Sequence, residues 1–313
     1  MRLCLDIMGG DFAPQAPLDG IRLALAELPG DVNFTLVGDE AVISKYIDDN
    51  GLDKERITVV HASQVIEMGE SPTKAMTQKQ DSSILVGLKL LKAGEVDVFL
   101  SAGNTGAVYV GSLYTVKAIQ GVLRPALISL IPKETGGEGI ILDVGANADC
   151  KPDVLYQFGL LGSIYCKAVF GIDNPKVGLL NIGSEPEKGN LATQAAYPIF
   201  AASDKFTFAG NVEGYDFFND KADVIVTDGF TGNIVLKTAE TIFKIMNKRG
   251  LSDEYFHRYD YENYGGTPIL GVNKPVMIGH GVSSPAAFKS MMNSAIQVHE
   301  SGMIEKFKQA FEN

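Results

Sequence analysis

Short apolar runs alternate with stretches of helical spacing along this chain. Runs of strand length stand at 3–7, 34–37, 57–60, 96–100, 127–131, 139–142, 177–181, 206–208, 224–227 and 276–278. Many are continuous rather than alternating, as expected for strands covered on both faces. Val235, Ala239, Ile242 and Met246 recur at intervals of four, three and four, one face of a helix. Residues 154–170 and 286–311 predict helices in the same way. Strands alternating with helices predict an α/β fold with a mostly parallel sheet.

Length leaves the domain count open. The 313 residues exceed the usual single domain of ~100–200, so one large unit or two fused lobes is expected. The 34 glycines and 13 prolines sit at element ends and mark no linker, so residues 1–313 are read as one α/β unit without a clear lobe boundary. The net charge of −11 argues against nucleic acid as a partner, since phosphate backbones need a basic face. Cys4, Cys150 and Cys166 have neither pairing nor metal-ligand spacing and read as reduced thiols. The N-terminal residues turn acidic too early for a signal peptide, and no run reaches the ~18 apolar residues of a membrane span. A cytoplasmic location is expected.

Candidate chemistry gathers where strands end. Ser101-Ala102-Gly103-Asn104-Thr105-Gly106 and Asp228-Gly229-Phe230-Thr231-Gly232-Asn233 each read as a Gly-containing turn followed by a helix opening at Thr-Gly. Such a turn presents backbone N–H groups at the positive end of a helix, a ready anion site or simply a helix cap. Lys237 lies one turn further on. The two segments share an offset, with Asp97 matching Asp223, Thr105 matching Thr231 and Gly106 matching Gly232. Either duplication or the common form of strand-turn-helix units accounts for that. Four more clusters end strands: 6–11, 143–147, Asn181–Gly183 with Glu185 and Lys188-Gly189, and Gly210-Asn211-Val212-Glu213-Gly214. In open α/β sheets ligands bind beyond the carboxyl ends of strands. So many polar, glycine-bearing ends suggest a shared cleft of amides.

No G-x-S-x-G elbow, P-loop, dinucleotide fingerprint or paired-Asp metal spacing is present, and no cofactor is expected. His280 closes the 276–278 strand between Gly279 and Gly281, which leaves its imidazole accessible for ligand binding or proton transfer.

These motifs, in this order, resemble the phosphate acyltransferase (PlsX) family. The matching stretches run from residue 6 to residue 281 and include Tyr264-Gly265-Gly266 and His280-Gly281. The resemblance implies a two-lobed, three-layer α/β sandwich similar to phosphotransacetylases and isocitrate-type dehydrogenases. It implies a homodimer that moves a long-chain acyl group from acyl carrier protein to inorganic phosphate. The product would pass to a membrane glycerol-3-phosphate acyltransferase. Many members carry a longer apolar hairpin before Tyr-Gly-Gly. Here residues 247–263, including Ser252-Asp253-Glu254, are short and polar, so at most weak membrane contact is expected.

Within that reading, Ser101, Gly103, Asn104, Thr105 and Gly106 hold phosphate, helped by Lys188. Asn211, Asn233 and Thr231 donate to the carbonyl oxygen or the pantetheine arm, with Gly183, Glu185, Gly232 and Lys237 lining the site. Asp228 and Glu213 orient the donors, and His280 binds phosphate or protonates the departing sulfur. Lys74, Lys79, Lys89 and Lys92, read as one helical stretch, are candidate carrier-protein contacts. The alternatives are a phosphotransacylase acting on acyl-CoA, a non-catalytic anion or metabolite sensor and, weakest, a dehydrogenase.

Overall fold

The computed structural model describes residues 1–251, 253–258 and 260–312; Ser252, Tyr259 and Asn313 lie outside the described residues. The chain divides into two compact units, Met1–Ala118 with Tyr261–Glu300, and Ile119–Asp260 with Ser301–Asn313. The first is built from two separated pieces of sequence, so no linker marks its border.

In chain order the first unit begins with β1 (Arg2–Asp6), α1 (Gln15–Glu27), β2 (Asn33–Gly38), α2 (Glu40–Asp49), β3 (Ile57–His61), α3 (Pro72–Gln78), α4 (Ser83–Ala93), β4 (Val98–Ser101) and α5 (Thr105–Thr115). The second unit follows with β5 (Ala126–Pro132), β6 (Glu138–Leu142), α6 (Pro152–Val169), β7 (Lys176–Leu180), α7 (Leu191–Ala201), β8 (Thr207–Val212), β9 (Val224–Val226), α8 (Gly229–Lys248) and α9 (Glu254–His257). The chain then returns to the first unit as α10 (Tyr261–Tyr264), β10 (Gly266–Leu270), β11 (Val276–Gly279) and α11 (Pro285–Glu300), and ends in the second as α12 (Met303–Phe311).

The first unit's strands run in the order β3-β2-β1-β4-β11-β10, parallel except for β10 against β11. The second unit's run β5-β6-β9-β7-β8, parallel except for β5 against β6. Central strands are buried throughout: β4 and β9 expose no residue, which is why their sequences are unbroken apolar runs. Parallel pairing puts the carboxyl ends of β1, β2, β3, β4 and β11 on one edge of the first unit. It does the same for β6, β7, β8 and β9 in the second.

All ten expected strands form. Four details differ from the periodicity. The 206–208 run extends to Val212 because Gly210, at φ +82°, carries a bulge where register with β7 shifts by one residue. The 286–311 helix is two helices, since Gly302 at φ +63° turns the chain between α11 and α12. The lysines at 74–92 lie on α3, at its C-cap and on α4, because residues 79–82 break the helix. β10 carries no strand signal, since Pro268 stands between the glycines at 265, 266 and 271, yet its residues pair with β11.

Candidate active site

In the first unit the chain runs outward from β1 to β2 and β3, then crosses back to β4. The reversal point between β1 and β4 is where open α/β sheets bind ligands. Asp6, 1 % exposed, closes β1 there. Its carboxylate accepts from Met8 N (3.1 Å) and from Ser101 Oγ (2.7 Å), and Ser101 Oγ in turn accepts from Gly103 N (3.0 Å). A Cβ on Gly9 would stand 2.8 Å from Gly103 N, so only glycine lets the two turns touch. Asp11 N donates to Gly281 O at 2.7 Å, which ties the β1 turn to the loop after β11.

Asn104 caps α5. Its Oδ1 accepts from Ala107 N (3.0 Å) while its Nδ2 donates to the carbonyls of Glu67, Met68 and Glu70 at 2.9–3.1 Å. That side chain is spent on holding the 67–70 loop, which packs Met68 toward Gly281. Ser101 is likewise spent on Asp6 and wholly buried. Ala107 N and Val108 N both turn back to Asn104, so the first-turn donors left over are the N–H groups of Thr105 and Gly106. Gly106 packs on Pro72, 2.5 Å from where a Cβ would stand.

His280 follows β11, half-buried, its ring edge-on to Tyr264 with centroids 6.5 Å apart. Its carbonyl accepts from Ser283 N at 3.0 Å. Ser283 Oγ, in a residue 2 % exposed, has no hydrogen-bond partner among the described residues. Its sequence offers no signal beyond Gly281 two residues earlier.

The second unit repeats the construction. Asp143, fully buried after β6, accepts from Leu127 N (2.9 Å), Ala146 N (3.3 Å), Asn147 N (2.6 Å) and Asn147 Nδ2 (2.9 Å). The start of α8 rests on this loop: Gly229 N donates to Asn147 O at 2.7 Å. Asp228 caps α8, accepting from Thr231 N (2.8 Å) and Thr231 Oγ1 (3.0 Å). This cap opens α8 at Gly229 rather than at Thr231, two residues earlier than the match with α5 predicts. Thr231 therefore has no hydroxyl proton to offer a substrate, and Asp228 serves the helix. Asn233 is exposed beside Gly145, 3.8 Å from where a Cβ there would stand. Gly232 lies against Asp143 O.

The loops after β7 and β8 also meet. Asn211, 1 % exposed, donates from Nδ2 to Glu185 O (2.8 Å), and its buried Oδ1 has no partner among the described residues. Asn211 thus presents a buried acceptor beside the amide that holds Glu185 O. Asn181 Nδ2 holds Lys188 O at 3.0 Å, and the Lys188 stem packs over Gly183, leaving an exposed ammonium. Glu213 accepts from Tyr215 OH (2.8 Å), and Lys237 pairs with Glu240 (2.8 Å).

Burial raises Asp6 and Asp143 above the ordinary carboxylate range, although the hydrogen bonds they accept oppose it. The folded protein therefore holds these protons to higher pH than the unfolded chain does. Their contribution to stability is greatest below about pH 4, the ordinary value, and falls as pH rises through the folded values. Asp6→Asn keeps an acceptor for Met8 N and can donate to Ser101 Oγ. Its melting temperature should fall less steeply than wild type as pH rises above about 4 in calorimetric scans; equal slopes would exclude a raised Asp6. Burial also pushes the thiols of Cys4 and Cys166 up and that of Cys150 up to about 12, so none offers a thiolate nucleophile at neutral pH.

A family model described as "Fatty acid synthesis protein" matches residues 1–306. The chain belongs to that family. A protein of Desulforudis audaxviator named phosphate acyltransferase is 43% identical over 314 residues, covering 94% of this chain and 91% of its own length. Among solved structures, a branched-chain phosphotransacylase from Enterococcus faecalis V583 matches with TM-score 0.66 at 14% identity, over 96% of this chain and 99% of that one. A phosphotransacetylase from Streptococcus pyogenes matches with TM-score 0.65 at 19% identity, over 96% and 94%. At such identities the structures share the fold alone, which is α/β with a mostly parallel sheet. The strand-end loops above hold the buried carboxylates of Asp6 and Asp143.

Proposed function

We propose that this chain transfers a long-chain acyl group from acyl carrier protein to inorganic phosphate, supplying acyl phosphate for phospholipid synthesis. Membership of the fatty acid synthesis family and the name carried by its relatives support the reading. The observation that carries it is what remains at the start of α8 once the helix is capped. Asp228 takes Thr231 N and Gly232 N, and Asn147 O takes Gly229 N, which leaves Phe230 N–H and the exposed Asn233 amide. Spare donors at the positive end of a helix suit an oxyanion.

In the reaction a phosphate oxygen attacks the thioester carbonyl carbon. The carbonyl electrons move onto oxygen, then return as the C–S bond breaks and thiolate departs. Phosphate needs no strong base to do this, and a thiolate of pKa ~8.5 needs only one proton, which we assign to His280. Asn233 and Phe230 N–H stabilise the oxyanion. Thr105 and Gly106 N–H bind phosphate. Lys74 and Lys92 are the exposed lysines left for an acidic carrier, since Lys79 pairs with Glu70 and Lys89 donates to Gln80 O. A homodimer in the cytoplasm that hands its product to a membrane glycerol-3-phosphate acyltransferase belongs to the same reading. Among the described residues no helix is long and apolar enough to cross a membrane, and Tyr255 and Arg258 pin the polar 253–258 segment to the carbonyls of Pro132 and Lys133.

The test incubates purified protein with phosphate and either palmitoyl carrier protein or palmitoyl-CoA and traps acyl phosphate with hydroxylamine. Product from the carrier protein in preference to the coenzyme is expected; the reverse preference identifies a phosphotransacylase, and no product from either leaves a sensor. Asn233→Ala should lower kcat/KM about 10²-fold, the usual cost of one oxyanion donor, with an unchanged melting temperature because the side chain is exposed. A wild-type rate would remove Asn233 from the mechanism, and a wild-type rate in His280→Ala would do the same for the imidazole.

A further inference from the structure

The helical face at Val235, Ala239, Ile242 and Met246 is only partly covered by the second unit's core, on which Val235 packs. Of these four, none is buried, and Ile242 is 53 % exposed. The face instead borders a cavity of about 460 Å³. Three successive turns of α8 line it through the pairs Ile234/Val235, Thr238/Ala239 and Ile242/Phe243. The opposite wall is Phe217 and Phe218, which pack in and on the core cluster of Ile131, Ile141 and Ile225.

The lining is dry in character. Thr238 donates its hydroxyl to Ile234 O (2.8 Å), which leaves its methyl for the cavity. Tyr255 OH donates to Pro132 O (3.3 Å). The one carboxylate in the lining, Glu134, belongs to an exposed residue. A volume inside the ~300–1,000 Å³ of ordinary ligand pockets, with almost no polar demand, fits a long hydrocarbon.

We infer that this cavity holds the acyl chain of the thioester substrate. The inference rests on the acyl-transfer reading above and deepens it. Ile234 follows Asn233, the proposed carbonyl donor, and Gly214 follows the Glu213 strand end, so the cavity opens beside the loops assigned to the reacting carbonyl. From Ile234 to Phe243 the α8 axis advances about 14 Å, so a chain whose carbonyl sits at Asn233 runs along the helix toward Phe243. Short chains leave most of the cavity unfilled, which makes chain-length preference a property of this wall.

Two measurements test it. Ala239→Phe places a ring in the cavity and should lower the ratio of palmitoyl to butyryl kcat/KM about tenfold or more. An unchanged ratio overturns the proposal. An unchanged ratio together with an altered solution mass would overturn it in a particular way, showing the face to be covered by a second copy. The second measurement does not depend on turnover. The chain has no tryptophan, so Phe243→Trp gives a single tryptophan, excited apart from the tyrosines, in the cavity wall. A bromine-labelled long-chain fatty acid should quench it and a bromine-labelled butyrate should not; equal quenching by both, or by neither, overturns the proposal. Failure of the wild-type protein to form acyl phosphate would sink the enzymatic reading, and the quenching result still decides the cavity.

Discussion

Gly232→Ala is expected to lower the melting temperature by about 6–12 °C and to reduce acyl transfer at least ~10²-fold. In most helices this substitution gains up to ~1 kcal/mol, because alanine restricts the unfolded chain and glycine does not. Here the sign reverses for a local reason. The first turn of α8 lies so close to the end of β6 that a Cβ on Gly232 would overlap Asp143 O and stand 3.0 Å from Thr227 Cγ2. A carbonyl at the end of a central strand cannot yield as a flexible side chain would. The neighbouring Gly229 is as confined, 2.8 Å from Asn147 O and from Asp143 Oδ2 at its would-be Cβ. Relief requires α8 to lift from the 143–147 loop, costing about 3 kcal/mol or more. The same movement displaces Phe230 N–H and Asn233, so stability and turnover fall together. Differential scanning calorimetry and the hydroxamate assay read the two effects. An unchanged or raised melting temperature would mean that α8 does not sit on Asp143.

The second large effect is expected at Asn104. As a phosphate ligand, its loss would raise the KM for phosphate and leave the fold intact. Its contacts predict otherwise. Asn104→Ala removes a helix cap, worth ~1 kcal/mol, and an amide whose two N–H groups are shared among the carbonyls of Glu67, Met68 and Glu70, for a total of about 3 kcal/mol. The melting temperature should drop by about 6–12 °C. Limited proteolysis should cut within residues 65–71, where the parent chain resists. Asn104→Asp separates the parts: it keeps the acceptor for Ala107 N but turns a charge toward three carbonyls, so it should be no more stable than the alanine variant. A normal melting temperature with only a raised KM would return Asn104 to the role of ligand.

Both effects concern residues that the chain's pattern singled out, and both differ from the role the pattern suggested. Asn and Asp beside glycine at a strand end favour anion binding and helix capping through the same donors and acceptors. Asn104, Asp228 and Thr231 turn inward to cap, and Ser101 turns inward to Asp6. Asn233 and Lys188 remain exposed. Asp6 and Asp143 carry the opposite lesson. They lie in glycine-bearing clusters, but only three-dimensional contacts reveal that each carboxylate gathers neighbouring N–H groups beneath a helix start.

Ten strands and the α/β class were determined by sequence alone, because a strand buried on both faces must be an unbroken apolar run. The glycine-rich strand ends were legible for a related reason: close backbone approach tolerates no side chain. Tertiary structure decided the rest. β10 exists through its pairing with β11, although Pro268 and its glycines speak against a strand. The 286–311 periodicity hides a turn at Gly302 that divides the segment between the two units. The α8 stripe looks like a core face in sequence, but in the fold it meets the core at Val235 and otherwise borders a cavity. Periodicity records that a face is apolar, because that is a property of its own side chains. What covers the face depends on residues such as Phe217 and Phe218 that lie elsewhere in the chain.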